Sequence, residues 1–478
     1  MSNFVIAQGI IVLIGVLVYS LFFRKKREAL LPLPPGPKPI PILGNIRDGP
    51  PPGVPEFEHW VTFKDKYGPI NSQLGTKHLA SQYVDTQDVE SKRFLLRILM
   101  DPLHLFKHIK TQTASTILKL TYGYSAELHG PDPLTALINK VVDNASAILI
   151  PFSWAVDLFP FLSYLPDWFP GFKQTAREWR GLLDASADIP YAFAKQQMEK
   201  GSYQPSYITK LISSFKEEGK EIDEEFDEAI RWTAGVMFAG GADTTVSTIK
   251  TFLLGMVLNP DVQRKAQEEI DRVVGTHRLP EASDEESLPY VAGVIKEALR
   301  TFPVVPMGLP HEAAEDIIFR GYRIPKGSFL RPCVWWYLHD PKTYANPSKF
   351  DPERYLEPRN EPDPMESFGY GRRICPGRFL AHEGLFITIS RLLATFTISK
   401  AMHEGKPVDF EPRHVTDGAL DHPADFPYSI APRSEKHAEM IRRVEVDHPW
   451  DGGSARDIQG NAIFDKFKAE CAAGISTY

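Results

Sequence analysis

Cysteine is scarce in this chain: Cys333, Cys375 and Cys471 are the three among 478 residues. They are widely spaced, odd in number and without C-x-x-C spacing, which excludes a disulfide framework or a thiol-built zinc site and suits a reducing compartment. An excess of positive charge is missing too, since 54 Lys and Arg stand against 61 Asp and Glu for a net charge of -7. The overall electrostatics therefore offer nothing to recruit nucleic acid. There is no internal repeat and no low-complexity tract beyond one proline run. What remains is 43% apolar and 24% charged, the balance of a globular protein long enough for a large packed domain. Proline alone is in surplus, 41 residues against 33 glycines, and it divides the chain with loops.

One uncharged apolar run, Phe4 to Phe23, is long enough to cross a bilayer as a helix, and Arg24, Lys25, Lys26 and Arg27 follow it at once. Cations there stay on the cytosolic side, and no small-residue cleavage site precedes them, so residues 1–27 read as a signal anchor with a basic flank. Residues 28–54 form a stiff linker, because the prolines of Leu31–Asn45, LPLPPGPKPIPILGN, forbid a helix. In the body, 55–433, the pattern predicts a helix at Phe57–Tyr67 and a hairpin pairing Ile70–Leu74 with Lys77–Ala80 about Gly75. Long helices follow at Lys173–Lys200, Asp223–Leu258, Asp261–Val274, Tyr290–Thr301 and Gly377–Ser399, with strand-like pieces around Ile317–Ile324. The fold class is mainly α with minor β. Residues 434–478 are charged and weakly periodic, and read as a surface tail.

The strongest chemical signal is Phe368 to Gly377, FGYGRRICPG. Gly369, Gly371 and Gly377 free the backbone to turn around Cys375 at the start of an apolar helix. Helix N-terminal amides and the adjacent Arg372 and Arg373 favour thiolate, the form that ligates a metal. A lone cytosolic cysteine is more often an inert buried one, but Phe368, Gly371, Arg373, Cys375 and Gly377 together resemble the haem-binding signature F-x-x-G-x-R-x-C-x-G of the cytochrome P-450 family.

That resemblance extends along the chain. Glu297 and Arg300 match the family's E-x-x-R on one helix face, and Arg354 in FDPERY matches its P-E-R element; the resemblance implies a buried ion network beneath the haem. Pro310–His311 matches a Pro-His pair whose histidine, like Arg373, would face a haem propionate, with a solvated loop histidine as the competing reading. Ala239–Thr245, AGGADTT, sits inside a long helix, where each interior glycine costs roughly 1 kcal/mol against alanine. It matches the family's distal-helix motif: Gly240 and Gly241 leaving a groove for dioxygen, Asp243 feeding protons, and Thr244 holding the oxygen while its outer atom is protonated. Read without the resemblance, Thr244 would bond back to its own helix and Asp243 would be solvated.

The resemblance covers about residues 31 to 433. It implies a single haem domain of P-450 fold behind one transmembrane helix, with haem b (iron protoporphyrin IX) on Cys375. The implied activity is monooxygenation of a small hydrophobic metabolite in the manner of microsomal enzymes of fungal secondary metabolism, at the endoplasmic reticulum membrane. The chain has no flavin or nicotinamide fingerprint, so an NADPH-cytochrome P-450 reductase is the implied electron source. One element departs from the family pattern. None of the eight tryptophans is followed four residues later by arginine, so W-x-x-x-R, the family's other propionate clamp, is absent. The chain also runs from Leu74–Ala80 to Asp88 several dozen residues too soon. The rival reading is a non-catalytic, membrane-tethered relative, a truncated or splice product, that binds haem poorly and acts only as an interaction partner.

Overall fold

The computed structural model describes residues 76–473, apart from 128, 129, 149–153, 167, 169, 170, 220, 416–419 and 451. The apolar run, the proline linker, the helix expected at Phe57–Tyr67 and the strand expected at Ile70–Leu74 lie outside the described residues. Among those described, no helix is long and apolar enough to cross a membrane.

Helices dominate. In chain order they are α1 (Lys77–Ala80), α2 (Val84–Met100), α3 (Leu105–Tyr122), α4 (Pro133–Ile148), α5 (Ala155–Leu158), α6 (Phe172–Glu199), α7 (Tyr207–Glu217), α8 (Glu224–Leu258) and α9 (Pro260–Val273). They continue as α10 (Pro289–Thr301), α11 (Val334–His339), α12 (Arg378–Thr395), α13 (Glu435–Arg442), α14 (Val444–Asp447) and α15 (Ala462–Ala472).

The central element is α8. Asp223 caps it, its carboxylate accepting the Phe226 amide at 2.8 Å, and Glu224, Glu225 and Asp227 place negative charge on its first turn, where the helix dipole favours it. From Val246 to Val257 every residue is buried, which is how a helix reads when neighbours cover it on all sides. Along its whole length α8 packs against α3, α4, α6, α10 and α12.

Strands are short and pair two by two. β5 (Phe396–Lys400) lies antiparallel to β10 (Tyr428–Pro432), and two tight ribbons, β6 (Met402–His403) with β7 (Lys406–Pro407) and β8 (His414–Val415) with β9 (His422–Pro423), sit between them. Residues 310–331 form a compact unit of their own. In it β1 (His311–Glu312) pairs with β4 (Phe329–Leu330), and β2 (Ile317–Phe319) with β3 (Tyr322–Ile324). The β2–β3 turn is Arg320–Gly321 with φ of 49° and 80°, the left-handed pair that a two-residue hairpin turn requires. The strand-like reading at Ile317–Ile324 is thus a hairpin.

Three expectations are corrected. Lys77–Ala80 is helical, the Ala80 amide donating to Thr76 at 3.0 Å, and it runs through a 3-10 turn into α2. An unpaired strand leaves its backbone polar groups unmet, whereas a helix satisfies them internally. The helix expected to reach Ser399 stops at Thr395, because Phe396 and Ile398 alternate inward with the period of a strand and pair with β10. The residues after 434 are no surface tail either. Asn461 caps α15, accepting the amides of Ile463 and Phe464 at 3.1 and 3.0 Å, and Phe464, Phe467 and Cys471 are buried with α4 and α6. Ahead of it the Trp450 ring lies 5.5 and 5.1 Å from the guanidinium carbons of Arg93 and Arg97. Weak periodicity hid this because each piece is only two or three turns long.

Candidate active site

The loop carrying Cys375 is built by its glycines. After a 3-10 turn at Met365–Phe368 the backbone reverses through Gly369 at φ 81°, and Gly371 at φ 55° opens a second 3-10 turn over Gly371–Arg373. Side chains rarely adopt those values. The loop closes where the Cys375 amide donates to the Phe368 carbonyl at 2.7 Å, and α12 starts three residues later at Arg378. The Phe368 ring packs on the main core, so the loop is anchored on its apolar side.

Burial pushes the Cys375 thiol above its ordinary pKa, against the opposing effects of the Gly377 backbone N–H and the Arg378 charge. In the chain without haem the direction is thus opposite to the thiolate bias expected from the sequence, and Arg373 is exposed.

Those features fit a haem-thiolate ligand. Sγ is half-buried on a rigid loop with one backbone N–H to temper its charge. No group of three or more His, Cys, Asp or Glu side chains suited to a metal occurs among the described residues. A single sulfur holds iron only when a macrocycle supplies the other ligands.

The structure brings Glu297, Arg300 and Arg354 together, each 0% exposed. Arg300 donates to both carboxylate oxygens of Glu297 at 2.6 and 3.0 Å, and Arg354 Nε lies 3.0 Å from Oε1. The Tyr355 hydroxyl and the Asp351 amide add bonds to the same carboxylate at 3.0 and 2.7 Å. The remaining guanidinium protons reach the carbonyls of Leu338, Ala345, Pro347 and Lys349 and, from Arg354, the Glu361 carboxylate at 2.6 Å. Removing charges from water is repaid only when every proton finds a partner, and this cluster approaches that condition. Two members escaped sequence reading: Tyr355, one residue past the P-E-R element, and Ser367, whose hydroxyl donates to the Leu299 carbonyl and so ties the cysteine loop to α10.

On α8 the two glycines differ. A Cβ on Gly241 would come within 2.8 Å of the Ile117 side chain, so this glycine permits close packing of α3, whereas among the described residues nothing lies within 4 Å of a Cβ on Gly240. The open groove expected at both positions is therefore a property of Gly240. The α3–α8 contact is fastened by Thr113, whose hydroxyl donates to the Ala242 carbonyl at 2.9 Å. Thr244 donates to the Gly240 carbonyl at 2.7 Å, the back-bond that a lone helical threonine makes. Asp243 is half-buried. His311 belongs to the separate unit 310–331, where it is exposed and sits opposite Leu330 in β1.

Residues 98–423 match the family model described as Cytochrome P450. Cytochrome P450 monooxygenase CLM2 of Gibberella zeae is 44% identical over 526 residues, covering 95% of this chain and 99% of that protein. Multifunctional cytochrome P450 monooxygenase af510 of Aspergillus fumigatus is 40% identical over 499 residues, 89% of this chain and 93% of that protein. O-methylsterigmatocystin oxidoreductase of Aspergillus flavus is 34% identical over 497 residues, with the same two coverages of 89% and 93%. Each of these spans exceeds the 478 residues of the chain, so each relative carries residues for which this chain has no counterpart. The match nevertheless runs through α8, the buried Glu297 network and the cysteine loop alike, and on that extent the chain belongs to the cytochrome P450 family, as an oxidoreductase of the monooxygenase kind.

Proposed function

We propose that the chain is a haem-thiolate monooxygenase that hydroxylates a small hydrophobic metabolite in fungal secondary metabolism. It takes electrons from a separate NADPH-cytochrome P-450 reductase and works at the endoplasmic reticulum membrane. The observation that carries this reading is the cysteine loop, with a half-buried Sγ set against the Gly377 N–H on a backbone closed by the Cys375–Phe368 bond. When bound, haem b supplies the activation of dioxygen and the hydrogen abstraction. The chain's own residues do the rest. Cys375 holds the cofactor through sulfur, the Glu297 network keeps the loop rigid, and the bare backbone at Gly240 leaves space on α8. The Thr244 hydroxyl, released from the Gly240 carbonyl, offers a proton there, and Asp243 replenishes it.

The substrate class rests on the relatives, one of which is named for oxidising O-methylsterigmatocystin. The membrane reading rests on the sequence from Phe4 to Arg27. An exposed apolar row between α5 and α6, with Phe159, Phe161, Tyr164 and Trp168 at 52, 65, 89 and 80% exposure, supports it, since rings of that size seldom stand together in water. The missing W-x-x-x-R and the longer spans of the relatives favour the second reading, a tethered relative that holds haem poorly. A carbon monoxide difference spectrum of the reduced full-length protein separates the two. A thiolate-type band supports the enzyme, and absence of bound haem supports the rival.

A further inference from the structure

Glu90, Arg93 and Arg97 fall at intervals of three and four on α2, so they share one face, and Ser115 and Lys119 do the same on α3. Where the two faces meet, with Ser125 and Ala126 as the third wall, these residues line a cavity of about 10 Å³. That is room for one particle of about water's size. The surroundings are fastened. Ser125 and Ser454 exchange two hydrogen bonds, at 3.1 and 2.9 Å, and Arg93 donates to the Pro449 carbonyl at 2.9 Å. The centroid of the Trp450 ring lies 5.1 Å from the Arg97 guanidinium carbon.

Charge does not balance in this space. Among the described residues the lining carries three cations and one carboxylate, and that carboxylate is engaged, its Oε1 accepting from Arg93 at 2.9 Å. The Arg97 side chain is only 10% exposed, and Glu90 Oε2 stands 4.0 Å from its Nη2, outside hydrogen-bond distance. Arg97 Nε and Nη1 make no hydrogen bond, and neither does the Ser115 hydroxyl. Burial works against the Arg97 charge, with Glu90 supporting it and Arg93 opposing it, yet a guanidinium does not shed its proton inside a protein. A buried charge that cannot be neutralised calls for a counter-charge. Water in the cavity would meet hydrogen bonds but leave that charge as it is.

We infer that the cavity between α2 and α3 is a binding site for one monatomic anion, a halide, with chloride the ion available to it in the cell. Arg97 and the Ser115 hydroxyl donate to the ion, and the Arg93 and Lys119 charges add their attraction. The size of the space excludes sulfate, phosphate and carboxylates. Glu90 Oε2, an acceptor that also lines the cavity without a hydrogen bond, holds the occupant to a single negative charge. Bound there, the ion ties α2 to α3. The site stands apart from the monooxygenase reading and does not depend on it.

Bromide is the test ion, a halide that scatters X-rays anomalously. Crystals of the full-length chain grown in sodium bromide are expected to show an anomalous peak between Arg97 and Ser115, and a cavity that holds only water overturns the inference. In solution the thermal unfolding midpoint is expected to rise saturably as bromide replaces gluconate at constant ionic strength, because a ligand of the folded state stabilises it by mass action. Arg97→Gln removes the charge and should flatten that response. Ser115→Ala, the milder change, should move it to several-fold higher bromide. A bromide response left intact in both variants, or no difference between bromide and gluconate in wild type, refutes the site.

Discussion

Ser367 and Leu299 meet across 68 positions of sequence, the Ser367 hydroxyl donating to the Leu299 carbonyl at 3.0 Å. That bond joins the loop before Cys375 to the end of α10, where Leu299 lies between Glu297 and Arg300. The buried ion network and the cysteine loop are thereby one mechanical piece. Ser367→Ala is expected to lower stability by about 1 kcal/mol, the net worth of an ordinary hydrogen bond, and to reduce the fraction of thiolate-ligated haem. Glu297→Ala, which takes from buried Arg300 its carboxylate partner and leaves Arg354 only Glu361, should cost roughly 3–5 kcal/mol. Urea unfolding of both variants checks the ranking, and equal losses would refute it.

Cys375→Ala is expected to abolish the thiolate band while Cys333→Ala and Cys471→Ala retain it. In the haem-free chain the buried Cys375 thiol has its pKa raised above the ordinary value. The neutral form is thus the one that folding favours. Its contribution to stability is fully present below the unfolded thiol's pKa and is lost as pH rises through the folded one. Alkylation by iodoacetamide followed by mass spectrometry should therefore run slower at Cys375 than at a free peptide thiol at pH 8 and accelerate only at higher pH than that thiol. Fast alkylation at pH 7 would show that the sulfur is already thiolate.

The two glycines of α8 should answer oppositely to alanine. At Gly240 a Cβ meets nothing within 4 Å, so Gly240→Ala gains helix propensity of up to about 1 kcal/mol but fills the open space and lowers turnover. At Gly241 the methyl drives into Ile117, and overpacking costs about 1–3 kcal/mol, which outweighs the propensity gain. Thermal melting separates them, and a stabilised Gly241→Ala would mean that α3 yields easily.

Thr244→Ala removes the hydroxyl that bonds the Gly240 carbonyl and leaves everything on the cysteine side alone. The thiolate band should persist while the ratio of product to NADPH consumed falls and peroxide rises. An unchanged ratio would mean that the hydroxyl does no more than its back-bond.

The sequence by itself determined most of the long helices, because a long run without breakers, with a 3.6-residue period where one face stays exposed, needs no tertiary context, and α6, α8, α9 and α10 lie within one residue of their predicted bounds at every end. It also determined the cysteine loop, since glycines at Gly369 and Gly371 permit one backbone path that few other residues can follow. Tertiary structure decided what short segments became. Lys77–Ala80 turned helical without a described strand partner, Phe396–Lys400 left its helix because β10 was there to pair with it, and α15 folded onto α4 and α6. Elements of one to three turns gain too little from their own hydrogen bonds to be stable alone, so the surface each one lands on chooses its form. The same holds in the site. Spacing put Glu297 and Arg300 on one helix face, but only the packed chain brought Arg354, Tyr355 and Ser367 to them, set Gly241 against Ile117, and half-buried the Cys375 thiol so that its pKa rises where the sequence suggested a fall.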